Sequence, residues 1–238
     1  MPENHLEFVV RRFLCVVVVL SCVSAVVFSR TVLRQDQVPF ESDIEKFEAQ
    51  DKVSPPAPGG VVFVGSSSIV RWTTLSEDFP EYNVINRGFG GSQTSDSVRF
   101  AKRIVTPYKP SMVVFFAGTN DIAAGKSAQT VFDDFQQFVD VVRSDLPDVP
   151  IVFISITPAP SRWDKLAIVK DANRLIKDYC RHHRNLRFVD LFKNYLSPSG
   201  GPRPELFVSD QLHMNPSGYV IWKKAIGPLL PAAAKKSG

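Results

Sequence analysis

The feature of this 238-residue chain that most restricts its fold is an alternation beginning near Val61: short, almost wholly apolar runs, each followed by a longer stretch with helical spacing. The apolar runs fall at residues 61–64, 83–86, 112–117, 151–156 and 186–189. A strand with one face in water alternates apolar and polar side chains, whereas a nearly continuous apolar run requires cover on both faces. Residues 68–75, 95–105, 128–146 and 164–182 supply that cover. In the third of these, Val131, Phe132, Phe135, Phe138, Val139 and Val142 lie on one helical stripe. Asn215 followed by Pro216 opens a last helix, with an N-cap and a proline in its first turn, running towards Ile226. Five strand–helix alternations predict an α/β fold, a doubly wound parallel sheet between two helical layers.

The ends of the chain read differently. From Phe13 to Ser29 run 17 residues without a charge, preceded by Arg11 and Arg12. As a helix this run spans roughly 25 Å, slightly short of a hydrocarbon core of about 30 Å. Residues 1–30 are therefore expected to be a signal peptide, with Val23-Ser24-Ala25 as a small-residue cleavage site, or a retained signal anchor. The arginine pair stays on the cytoplasmic side, and the domain is sent out to a periplasmic or extracellular location. Lipidation at Cys22 is a third option, against which the apolar residues following it argue. Residues 31–59 are polar, then Pro-rich, and read as a tether with one short helix at 40–51; the domain occupies 60–232, and 233–238 is a basic tail.

Composition limits the partners. Lys and Arg outnumber Asp and Glu by 28 to 24, and setting aside the four Arg and three acids before residue 40 leaves a body of net +3, two of whose charges are Lys235 and Lys236. Such a body lacks the electrostatic footprint of a nucleic-acid binder. Two of the three cysteines lie before residue 30, so Cys180 has no internal disulfide partner and reads as a small core residue. No His, Cys or carboxylate cluster has metal-ligand spacing, and the glycine-rich segment at 88–91 has neither a following Lys nor dinucleotide-fold spacing. No metal and no cofactor are expected.

In an open parallel sheet, ligands bind beyond the carboxyl ends of the strands, where strand order reverses. The segments there are Gly65-Ser66-Ser67-Ser68, Gly88-Phe89-Gly90-Gly91-Ser92 and Gly118-Thr119-Asn120-Asp121. A fourth, Asp210-Gln211-Leu212-His213, stands just ahead of the last helix. A serine hydroxyl is a poor nucleophile until a base within hydrogen-bond reach takes its proton, and His213 is the only domain histidine within such a segment. Asp210, three residues earlier, can hold its tautomer. Charge developing on a carbonyl oxygen needs preorganised donors. The backbone N–H groups of Ser67 and Gly91 and the side-chain amide of Asn120 are available. Asp121 reads as structural, and His182 and His183, at a helix C-terminus, as solvated.

These four segments, in this order, resemble the blocks of the SGNH hydrolases, the GDSL-type esterases and lipases, over most of residues 61–230. The resemblance implies a flavodoxin-like three-layer α/β/α fold with a five-stranded parallel sheet and a cofactor-free serine hydrolase. It makes Ser67, Asp210 and His213 the catalytic residues, and Ser67, Gly91 and Asn120 the oxyanion hole. Ser66 stands where the family has an aspartate that is not the triad acid; the turn after the strand is expected to present Ser67, with Ser66 facing the scaffold and Ser68 starting the helix. Phe89 and Trp163 are expected pocket walls. The substrate is expected to be a small-molecule ester, an acylated sugar or a lipid such as a lysophospholipid, with the membrane a partner through an uncleaved N-terminal segment. Two alternatives are acetyl transfer on an envelope polysaccharide and a non-catalytic binding module on the same fold.

Overall fold

A computed structural model describes residues 38–231. The segments expected at 1–30 and 233–238, and the first part of the tether, lie outside the described residues. The chain divides into two units, 1–41 and 42–238. Of the first, residues 38–40 form a bend and turn leading into a helix.

The second unit is built on five parallel strands, β1 (Val61–Gly65), β2 (Val84–Gly88), β3 (Met112–Phe116), β4 (Ile151–Ile154) and β5 (Leu186–Val189), in the order β2-β1-β3-β4-β5. This is the flavodoxin-like sheet, with strand order reversing between β1 and β3. Its register is continuous: Val61 pairs with both Val84 and Met112, and Gly65 with both Gly88 and Phe116. The helices are α1 (Glu41–Val53), α2 (Ser67–Val70), α3 (Leu75–Asp78), α4 (Thr94–Ile104), α5 (Thr119–Ala123), α6 (Ala128–Asp145), α7 (Leu166–His182) and α8 (Pro216–Ile226).

Strand side chains alternate between two apolar layers because successive Cβ atoms point to opposite faces. Phe63, Val114, Phe116, Val152 and Ile154 join Trp72, Phe79 and Trp222 in one buried cluster. On the other face Phe115 meets Phe135 and Phe138 of α6 with ring centroids 5.6 and 4.5 Å apart. Five residues of the predicted α6 stripe, Val131, Phe135, Phe138, Val139 and Val142, are buried. Cys180 is buried and unpaired, and burial pushes its thiol up to about 12, as befits a core residue rather than a nucleophile.

The expected tether needs correction in its second half. Residues from Ser42 onward belong to the same compact unit as the sheet. Helix α1 is fastened by Arg103, whose Nε donates to Glu48 Oε1 at 2.7 Å, and by Arg87, which bonds to Asp51 and to the Tyr108 hydroxyl. Among the described residues no helix is long and apolar enough to cross a membrane.

Candidate active site

The site begins where β1 ends. A Cβ on Gly65 would lie 1.9 Å from the carbonyl oxygen of Phe116 on β3, and Gly65 has φ +146°, so only glycine lets the two strand ends approach this closely. The chain then turns at once into α2. Ser66 is buried and extended, its N–H donating to Phe116 O at 3.1 Å. Ser67 is the first residue of α2, where a backbone N–H has no helical partner. From the far end of the chain, the Tyr219 hydroxyl of α8 donates to Ser68 O at 2.9 Å and ties that helix to the turn.

Asp210 and His213 stand on a tight loop closed by a bridge between Phe207 and Met214 and by Val208 N–H donating to His213 O at 2.8 Å. Gln211 at its tip takes φ +56°, a conformation uncommon for a residue with a side chain, and its carbonyl accepts the Ser161 N–H at 3.0 Å. In this loop Asp210 Oδ1 accepts the backbone N–H groups of Leu212 and His213, both at 2.9 Å, while Oδ2 lies 2.7 Å from His213 Nδ1. The His213 N–H first, then its imidazole, then the Leu212 N–H, hold the Asp210 carboxyl far below the usual aspartate range.

His213 Nε2 lies 2.8 Å from Ser67 Oγ, across 146 residues of chain. The proton assignment follows from the partners. Asp210 is ionised near neutrality and can only accept, so Nδ1 carries the imidazole proton; Nε2 is left as the acceptor for the Ser67 hydroxyl. The chain of bonds Asp210–His213–Ser67 is therefore aligned for proton transfer away from Ser67.

Asn120 comes from the β3 end, on the first turn of α5. Its Nδ2 donates one proton to Ser92 O at 3.0 Å, fixing the amide while leaving the second N–H for another acceptor. Ser92 is held in turn by its own Oγ donating to Phe89 O at 2.8 Å. Gly91, the neighbour of Ser92, has φ +84° and is exposed; it is not among the residues lining the cavity beside Ser67. Asp121 is wholly buried, accepting the Thr94 N–H through both oxygens, at 3.1 and 3.0 Å, and Lys126 Nζ at 3.0 Å. Burial pushes the Asp121 carboxyl up against the opposing pull of Lys126. Burial also works to lower Lys126, but two carboxylates, Asp134 and Asp121, outweigh it and raise that ammonium. Asp121 thus pins the turn carrying Asn120 to the start of α4.

Beside Ser67 lies a small cavity of about 20 Å³, lined by Asn120 and His213, by Phe116, Phe207, Leu212 and Met214, and by Thr119, Thr157 and Ala159 with the serines. Two expected walls are not there. Phe89 is buried against Phe100, its ring edge-on at 6.0 Å, because the β2 turn points the side chain into the core. Trp163 is half-buried on the short 3-10 helix Pro160–Lys165 and lies outside the cavity lining. The walls that sequence reasoning missed, Phe207, Leu212 and Met214, sit within or next to the Asp210–His213 segment, so flanking positions of that segment were the available signal. His182 and His183 are exposed, their Nδ1 atoms each 2.8 Å from the carbonyl one turn back, those of Asp178 and Tyr179.

Residues 62–221 match the model of the GDSL-like Lipase/Acylhydrolase family. No curated protein matches the chain in sequence. Among solved structures the fold is similar to a candidate acylhydrolase from Bacteroides fragilis NCTC 9343 (TM-score 0.66, 23% identity, covering 76% of this chain and 92% of that one). It is similar also to a GDSL-like lipase from Bacteroides thetaiotaomicron VPI-5482 (TM-score 0.66, 18% identity, 78% and 96% covered). A third is a carbohydrate esterase family 3 protein from Talaromyces cellulolyticus (TM-score 0.58, 19% identity, 72% and 95% covered). At these identities the structural likeness speaks for the fold.

Proposed function

Because the chain belongs to the GDSL-like lipase/acylhydrolase family and is an ester-hydrolysing enzyme, we propose that it removes a short acyl group, acetyl foremost, through an acyl-enzyme formed on Ser67. The observation that carries this reading is the unbroken hydrogen-bond chain from Asp210 through His213 to Ser67. Ser67 Oγ attacks the ester carbonyl carbon as its proton passes to His213 Nε2, and Asp210 stabilises the imidazolium that forms. The oxyanion of the tetrahedral intermediate is met by the free N–H of the Asn120 amide and by the backbone N–H of Ser67, both on residues that line the cavity, with Gly91, outside that lining, the third donor that the family resemblance implies. Collapse breaks the bond to the alkoxy oxygen, which takes the proton from His213. Water, deprotonated by the same nitrogen, then attacks the acyl-enzyme and releases the acid and free Ser67.

The preference for a small acyl group is supported by the cavity. About 20 Å³ beside Ser67, walled by Phe116, Phe207 and Leu212, suits the methyl of an acetyl group. The fold neighbour named as a carbohydrate esterase agrees with an acetylated sugar as substrate. We also propose that the enzyme is exported, on the strength of the uncharged run at residues 13–29 behind Arg11 and Arg12. Ser67→Ala is expected to abolish hydrolysis of phenyl acetate with an unchanged circular dichroism spectrum; turnover retained in that variant removes Ser67 from the role.

A further inference from the structure

Beyond β4 the chain runs to the cavity as Ser155-Ile156-Thr157, a stretch held by hydrogen bonds from several sides. The Ser155 N–H donates to Val189 O at 3.0 Å, and Ser155 Oγ accepts the Leu191 N–H at 2.9 Å. Asn173, itself buried, clamps Ile156 from both sides: its Oδ1 accepts the Ile156 N–H at 2.8 Å and its Nδ2 donates to Ile156 O at 3.0 Å. Thr157 O accepts the Ala159 N–H at 3.0 Å. Against this background Thr157 Oγ1 is an exception, a hydroxyl on a residue only 7% exposed that has no hydrogen-bond partner. Of the described residues with such an atom, Thr157 alone lines the cavity beside Ser67.

A buried hydroxyl without a partner lowers stability, and valine would fill the same space without that penalty. No contact of the folded chain makes use of the oxygen. Its placement does suggest a use. Ser67, Asn120 and Thr157 follow the ends of β1, β3 and β4, which are neighbours in the sheet, while Gly91 follows β2 on the opposite side of β1. Thr157 therefore closes the site from the side away from Gly91.

We propose that Thr157 is a substrate-contacting residue whose Oγ1–H donates a hydrogen bond to an oxygen of the ester bound at Ser67. The ester supplies the partner that the fold withholds. This inference rests on the reading of Ser67 as nucleophile, and it makes Thr157 a selector for esters that can place an oxygen against it. A site built to hydrogen-bond a substrate discriminates more sharply than an apolar one, because its polar group is stranded when the wrong ligand binds.

The test compares Thr157→Val, which deletes the hydroxyl and keeps the shape, with Thr157→Ser, which keeps the hydroxyl. With phenyl acetate as substrate, Thr157→Val is expected to lose about tenfold in kcat/KM, the scale of one hydrogen bond, while its Tm stays level or rises. Thr157→Ser is expected to restore most of the loss. Unchanged kcat/KM in Thr157→Val, or a loss that Thr157→Ser fails to restore, overturns the proposal in favour of packing. To separate this from the nucleophile, the equilibrium affinity for intact phenyl acetate is measured in Ser67→Ala with and without Thr157→Val. Turnover in Ser67→Ala counts against Ser67; equal affinity of the two variants counts against Thr157.

Discussion

Asp121 offers a perturbation whose size follows from the structure. Removing its carboxylate by Asp121→Ala strands the buried Thr94 N–H, which both carboxylate oxygens now accept, and takes one of two carboxylates from Lys126. A buried donor left without a partner costs about 1–3 kcal/mol, and breaking a buried ion pair from one side about 3–5 kcal/mol. Two features reduce the total. Lys126 is 22% exposed and retains Asp134 at 2.7 Å, and burial already disfavours the charged form of Asp121, a penalty that is returned when the group is deleted. The net loss is then about 3 kcal/mol, which for a domain of this size lowers Tm by roughly 6–12 °C. Differential scanning calorimetry measures that shift. Because Asp121 holds the turn carrying Asn120, kcat for phenyl acetate is expected to fall even at temperatures where the variant is fully folded. A Tm within about 1 °C of wild type would refute the reasoning, since it would mean that the buried carboxylate and its partners contribute nothing net to the fold.

Two further outcomes follow from the site. Asn120→Ala is expected to lower kcat about a hundred- to a thousand-fold with little change in KM, as removal of one oxyanion donor does, and steady-state kinetics checks it. Asp210, with its pKa depressed in the folded state, contributes stability that is fully present above the unfolded value near 3.8 and is lost as pH falls below it. The Tm gap between wild type and Asp210→Asn is therefore expected to narrow as pH falls below about 4. A gap that widens there contradicts the assigned partners.

How much of this the sequence discloses depends on the range of the interaction. The five strands appear at their expected places because burial on both faces leaves a local mark, and α8 starts at Asn215-Pro216 because its cap is local: the Asn215 side chain accepts from Ser217 N–H and Gly218 N–H. Boundaries shift where a turn intervenes. The first crossover helix, expected at 68–75, breaks into Ser67–Val70 and Leu75–Asp78, and Trp72 between them packs inward with Nε1 bonded to Asp78 at 2.7 Å. Helix α1 reads as tether because its own sequence is polar; its anchors, Arg103 and Arg87, lie 55 and 36 residues from their partners Glu48 and Asp51, and no window of sequence reveals such pairs. The serine, aspartate, histidine and asparagine of the site are legible as motifs, whereas Phe89 is not legible as core, since a loop residue's side-chain direction depends on the fold. Thr157 carries no motif at all. Only the pairing of its neighbours singles out its hydroxyl.

The central claim, that Ser67 is the acylated residue, is tested most directly by mass spectrometry of the protein treated with a fluorophosphonate. One adduct per chain is expected, located on Ser67, and none in Ser67→Ala. An adduct on Ser66 or Ser68, or an unmodified chain that still hydrolyses phenyl acetate, would contradict it.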